Sequence, residues 1–230
     1  MRKNDLTAIA LSAILLTPFF VSEVVYSFYK DFNASHGMVT SFIKFAILAT
    51  FGETIGLRIR TGKYNQTGFG IIPRAIVWGL LGLTINMAFI IFQNGTISFL
   101  QYMGISNPAA ILNGDLTGAK ILVAFSISTA LNVIYAPVMM TFHKITDTHI
   151  TNNGGTVKGL LKPIKMGSIM ANLNWKVQWN FVFKKTIPFF WIPAHTVTFL
   201  LPADFRVLFA AILGIALGVF LSIASLKSSN

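Results

Sequence analysis

From Val207 to Leu221 no side chain can give or take a hydrogen bond. A backbone carried through such a run must satisfy its own N–H and C=O groups, so the run reads as a helix. Extended to 206–225, it has the length that crosses the apolar part of a bilayer. Ala210, Gly214, Gly218 and Ser222 recur at every fourth residue and fall along one face. In lipid, such a small-residue face lets a second helix approach closely, which offsets the poor helix propensity of glycine. That face has two uses: burial against 42–56 of the same chain, which we prefer, or a homo-oligomer through 210–222.

Composition extends this reading to the whole chain. The sequence of 230 residues is 54% hydrophobic and only 11% charged, with a mean hydropathy of +0.67. Soluble domains carry about twice that share of charge. Apolar stretches at 6–29, 38–57, 75–92, 120–142 and 206–225 each read as a span. The 6–29 stretch is long for a signal sequence and lacks a small-x-small cleavage site, so we expect it to be a retained N-terminal span. The stretch 186–201 is aromatic and proline-rich, and Pro193 and Pro202 are expected to interrupt the chain here. It reads either as a distorted fifth span or as a re-entrant pair of segments. The expected fold is therefore all-α, a polytopic helical membrane bundle of five or six spans forming a single domain over 1–230.

Several polar residues interrupt the apolar runs. Lys44 and Glu53 lie nine residues apart, on opposite faces of one helix. Glu53 is either a functional ionisable group within a span or an interfacial partner of Arg58 or Arg60. Gly52 and Gly56 form a second small-residue pair. Asn86 is a polar point of the third span. Ser128, Asn132 and Tyr135 share one face of the fourth span, and either hydrogen-bond to neighbouring helices or line a water-filled path. Pro137 is expected to kink that helix.

Charge sets the orientation. Lys and Arg number 18 against 7 Asp and Glu, a net charge of +11. The excess lies in 58–74 and 143–185, while 30–37 and 93–119 are nearly neutral. Basic loops favour the cytoplasmic side, which puts the N-terminus inside. This accounts for the basic excess without nucleic acid, and makes anionic lipid headgroups the expected partners. From Leu160 the lysines alternate with large apolar residues, the pattern of an interfacial amphipathic helix, with Trp175, Trp179, Lys184 and Lys185 at headgroup depth. A bacterial cytoplasmic membrane is the first expectation for location and an organelle membrane the second.

The C-terminal block WIPAHTVTFLLPADFRVLF, Trp191 to Phe209, resembles that of the Mpv-seventeen and peroxisomal-membrane-protein-twenty-two family. Its Trp, its prolines and the Arg206 that opens the last helix carry the likeness. Gly52-Glu53 stands where the family has Gly-Asp, and Ala136-Pro137 matches within the fourth span. The resemblance covers about 38–226; the span at 6–29 lies outside it. His195 replaces an amide residue and Thr198 an asparagine, with a one-residue gap before Pro202. The resemblance implies a small multispanning protein of peroxisomal or inner mitochondrial type, with weakly selective passage of small solutes.

No HExxH, GxSxG or phosphate-binding glycine-rich loop is present, so we expect no enzyme. His143, Asp147 and His149 read as solvated loop residues rather than metal ligands. There is no cysteine, and no metal or cofactor is expected. The expected function is a channel or pore for small polar solutes lined by Glu53, Asn86, Ser128, Asn132, Tyr135, His195 and Arg206. The alternative is a structural membrane module that organises lipids or partner proteins.

Overall fold

The computed structural model describes residues 5, 6, 10, 13, 14 and 17–228, without the side chains of 20, 217 and 220–228. The chain divides into two compact units, residues 1–40 and 41–230. No strand occurs among the described residues.

In the first unit, α1 is Pro18–Val21 and α2 is Glu23–Ser35. Ser22 between them is extended, and its hydroxyl accepts from Val25 N–H at 3.4 Å. The 6–29 stretch is thus not one uninterrupted helix: Ser22 breaks it by serving as an N-cap. Most of 6–16 lies outside the described residues.

The larger unit is built on α3 (Gly37–Thr61), α4 (Ile71–Tyr102) and a long helix α6 (Gly118–Asn152), each long and apolar enough to cross a membrane. Between α4 and α6 lies the short α5, Pro108–Asn113. Its N-cap Asn107 has φ 48°, and the Asn107 side chain accepts from Ala110 N–H. Thr117 caps α6 in the same way through Lys120 N–H, at 3.2 Å. Two short helices follow, α7 (Val157–Leu160) and α8 (Met166–Ala171). Residues 175–200 form α9, and Ala203–Ser228 form α10.

Several helix ends differ from the sequence expectation. α4 runs past Phe92 to Tyr102, because Thr96 and Leu100 are buried against the core. α6 runs past Phe142 to Asn152, because Ile145, His149 and Ile150 are buried. The expected amphipathic helix from Leu160 is instead two short helices and the start of α9. Gly159, Ile169 and Gln178 are the buried points that hold this segment down.

Widened helical turns accompany Pro137 and Pro188, whereas Pro202 follows the extended Leu201 at which α9 ends. A π-type turn occupies Leu131–Tyr135, just before Pro137, with Ala136 N–H bonded to Leu131 O five residues back. A longer π-type stretch covers Gln178–Trp191 and contains Pro188; Ile192 N–H bonds to Ile187 O. Proline supplies no N–H and crowds the carbonyl four residues earlier, and the wider turn accommodates both. The two widened stretches contact each other. Residues 186–200 are therefore part of one continuous helix from 175, not a pair of separate segments.

The core joins the helices of this unit. Phe45 and Ala49 of α3, Ile85 and Phe89 of α4, Ile127 and Leu131 of α6, Phe199 of α9 and Ala210 and Ala211 of α10 form one buried cluster. A Cβ on Gly52 would lie 2.8 Å from the Cα of Ile215, and one on Gly218 would lie 3.3 Å from Gly52 O. The small-residue faces of α3 and α10 thus meet within the chain. Gly56 and Ala210 are also buried, whereas a Cβ on Gly214 would meet nothing within 4 Å. The side chain of Ser222 lies outside the described residues.

Candidate functional site

Charged side chains gather where α3, α4 and α6 meet. Glu53 Oε2 accepts from Arg74 NH1 at 2.5 Å. Glu53 Oε1 accepts from Trp78 Nε1 at 2.9 Å and lies 2.9 Å from His143 Nε2. An ionised carboxylate only accepts, so this geometry calls for hydrogen on Nε2. Arg74 also pairs with Asp147. Asp147 Oδ2 lies 3.6 Å from Lys144 Nζ. The rings of Trp78 and His143 are 4.3 Å apart. Side-chain exposures of 10% for Arg74 and 18% for Glu53 place the pair largely out of solvent. Buried charges persist where they are paired and hydrogen-bonded, as here.

Local chain geometry explains how Arg74 is aimed. Its Nε donates to Phe69 O at 2.7 Å, and its guanidinium lies 4.4 Å from the centre of the Phe69 ring. Phe69 is held by the loop before α4, which packs on the turn after α6. Gly70 and Gly155 have φ 73° and 66°, and a Cβ on Gly70 would stand 2.8 Å from Gly155. Only glycine supplies both the left-handed backbone and that approach.

The polar stripe of α6 divides between two neighbours. Ser128 Oγ donates to Ile192 O at 2.7 Å. Asn132 Nδ2 donates to Ser128 O at 2.8 Å, and the Asn132 amide lies 3.0 Å from His195 Nδ1. The His195 ring stands 5.1 Å from Trp191 and 5.5 Å from Phe89. Ser128 and Asn132 are fully buried. Tyr135 faces α4 instead, where its hydroxyl is 2.7 Å from that of Thr84. Asn86 is half-buried elsewhere on α4.

A second charged group closes the junction of α9 and α10. Arg206 Nε donates to Leu201 O at 2.9 Å, NH2 to Phe199 O at 3.2 Å and NH1 to Gln93 Oε1 at 2.5 Å. Terminal carbonyls of a helix need such donors. Arg206 repeats what Arg74 does: each reaches a carbonyl five residues back and grips another helix. Lys44 of α3 is also buried. Trp175, Trp179, Lys184 and Lys185 are all exposed.

Sequence reasoning missed Arg74, Trp78, His143, Asp147 and Gln93. Glu53 pairs with Arg74 and His143, not with Arg58 or Arg60 in the ion pairs seen here. His143 and Asp147 sit on a helix rather than in a solvated loop, and His149 is buried with Nε2 3.3 Å from Leu160 O. A signal was present: His143 and Asp147 lie at four-residue steps beyond Tyr135, with the apolar Met139 between. A groove of about 650 Å³ opens between α4 and α6, lined by Phe92, Gly95, Phe99, Phe125 and Val133 among others. It is almost wholly apolar and separate from the charged groups.

These observations define a helical protein whose three long apolar helices suit a membrane and whose interior carries paired charges. Compared with known proteins, the chain matches no family model, no curated protein and no solved structure.

Proposed function

We propose that the chain is a multi-pass membrane protein of five or six spans, with α9 and α10 as the last two, and a weakly selective conduit for small polar solutes. The observation that carries this reading is the two charged groups that α4 joins, Glu53–Arg74 at its start and Arg206, which reaches α4 at Gln93. Arg74 and Gln93 are 19 residues apart on one helix, which separates their clusters by about 28 Å. Between them lies an apolar layer of Phe45, Ile85, Phe89 and Phe199. Charged groups at the two ends of a helix bundle, with an apolar constriction between them, are the parts from which a selective and gated solute path is built. On this reading the apolar layer is the closed gate. The resemblance of Trp191–Phe209 to the Mpv-seventeen family supports the same function and assigns no catalysis. Basic loops put the N-terminus and the Glu53 cluster on the cytoplasmic side, in a bacterial cytoplasmic membrane first and an organelle membrane second.

The test is release of uncharged sugars and small ions of graded size from liposomes holding the purified protein. Release with a size limit is expected, and Arg206→Ala should change the preference between anions and cations. No release at any size, with the protein folded and inserted, overturns the conduit.

A second reading is favoured by the same buried contacts. Ser128, Asn132 and His195 bond helix to helix, and Gly52 and Gly218 close α3 on α10. This is how a structural module that organises lipids or partner proteins, including a second copy, would be held rigid. It predicts no flux.

A further inference from the structure

Between Thr148 and Ala203 the chain has no acidic residue, but it has Lys158, Lys162, Lys165, Lys176, Lys184 and Lys185. All of these lysines are exposed. The same stretch exposes large apolar side chains, among them Leu161 at 79%, Trp179 at 59% and Trp175 at 41%. The segment is not a loose tail: α7 packs on α4 and α6, and α8 packs on α6. Lysines and aromatic rings held side by side match a bilayer surface, where ammonium groups meet phosphates and Trp rings lie at headgroup level.

α9 adds a constraint on depth. Lys184 and Lys185 lie within this helix, and the remaining stretch to Leu200 rises only about 22 Å. The hydrocarbon layer is about 30 Å thick. Lysine stems let the charge reach outward, but two neighbouring exposed lysines also draw headgroups inward, and a short apolar stretch is met by local thinning of the bilayer.

We propose that residues 157–185 form a binding surface for anionic phospholipids of the bilayer, and that Lys184 and Lys185 draw the headgroup phosphates inward beside α9. This rests on α9 crossing the membrane, and not on the conduit. Each lysine near an anionic surface is worth roughly a five-fold factor in association.

The experiment uses the full chain in mixed vesicles of phosphatidylglycerol and phosphatidylcholine. Spin-labelled lipids report the relative association of each lipid with the protein. A preference for phosphatidylglycerol is expected, weakening with salt and falling several-fold in K184Q/K185Q. In parallel, Val197→Cys in this cysteine-free chain is offered to a membrane-impermeant maleimide. Protection of Cys at this position, together with loss of preference in K184Q/K185Q, supports the proposal. Protection with an unchanged preference, or with none in the parent protein, overturns the proposal and leaves α9 as a span. Ready labelling overturns both.

Discussion

At the scale of single residues, the decisive fact is which charge Glu53 faces. Arg58 and Arg60 are nearer in sequence, but they follow Glu53 along its own helix, whereas Arg74 approaches from α4 with its fork already aimed by Phe69. Removing one member takes a charge partner from the other: Arg74 keeps Asp147, and Glu53 keeps Trp78 and His143. Glu53→Gln and Arg74→Gln should each lower stability by about 2 kcal/mol, less than for a fully buried pair because both side chains keep some exposure. The double variant should cost clearly less than the sum. Thermal unfolding in detergent reads this directly, and strict additivity would show that the two do not act as a pair. Asn132 allows a parallel check. Asn132→Leu leaves His195 Nδ1 without its amide partner and should cost about 1 kcal/mol, in the range of interhelical hydrogen bonds in membranes. It should also reduce solute release if the conduit passes here; unchanged release from folded protein would remove Asn132 from the path.

At the scale of elements, the existence of the long helices was legible and their ends were not. Apolar runs of span length leave the backbone few alternatives, so α3, α4 and the centre of α6 follow from sequence alone. The continuation of α4 to Tyr102 goes with the burial of Thr96 and Leu100 against other helices, and Gln93 meets Arg206 across 113 positions. Local pattern cannot supply that. Of the two expected interruptions, Pro202 does follow the end of α9, whereas Pro193 lies inside it, just past the wider turn that ends at Trp191. The candidate site was legible in part: Glu53, Asn132, His195 and Arg206 stood out as polar groups in apolar surroundings, but their partners required the packing. The small-residue faces give a contrast between two glycines. Gly52→Ala pushes a methyl into the backbone of Ile215 and should destabilise by about 1–3 kcal/mol. Gly214→Ala meets open space and should stabilise by up to about 1 kcal/mol through helix propensity. Paired melting curves check both, and equal effects would mean that α3 and α10 do not pack as described.

At the scale of the whole molecule, the proposed arrangement in the bilayer is testable because the chain carries no cysteine of its own. Lys63→Cys, in the loop before α4, and Leu116→Cys, before α6, should be labelled from opposite sides of sealed vesicles. Labelling from one side only would overturn the assigned topology. The lengths of the two longest helices then carry a consequence of their own. α4 has 32 residues, and at about 1.5 Å each it measures about 48 Å. Tilts of membrane helices reach about 40°, and even so inclined α4 would occupy about 37 Å along the membrane normal, against about 30 Å of hydrocarbon. α6, with 35 residues, overshoots further. Both helices must therefore project from the oil on at least one side, and the side rich in Arg74, His143, Lys144 and Asp147 is the one that water welcomes. A rim of this kind places ions from the aqueous phase within a few side-chain lengths of Glu53, so the ionic strength of the medium becomes part of what holds α3, α4 and α6 together.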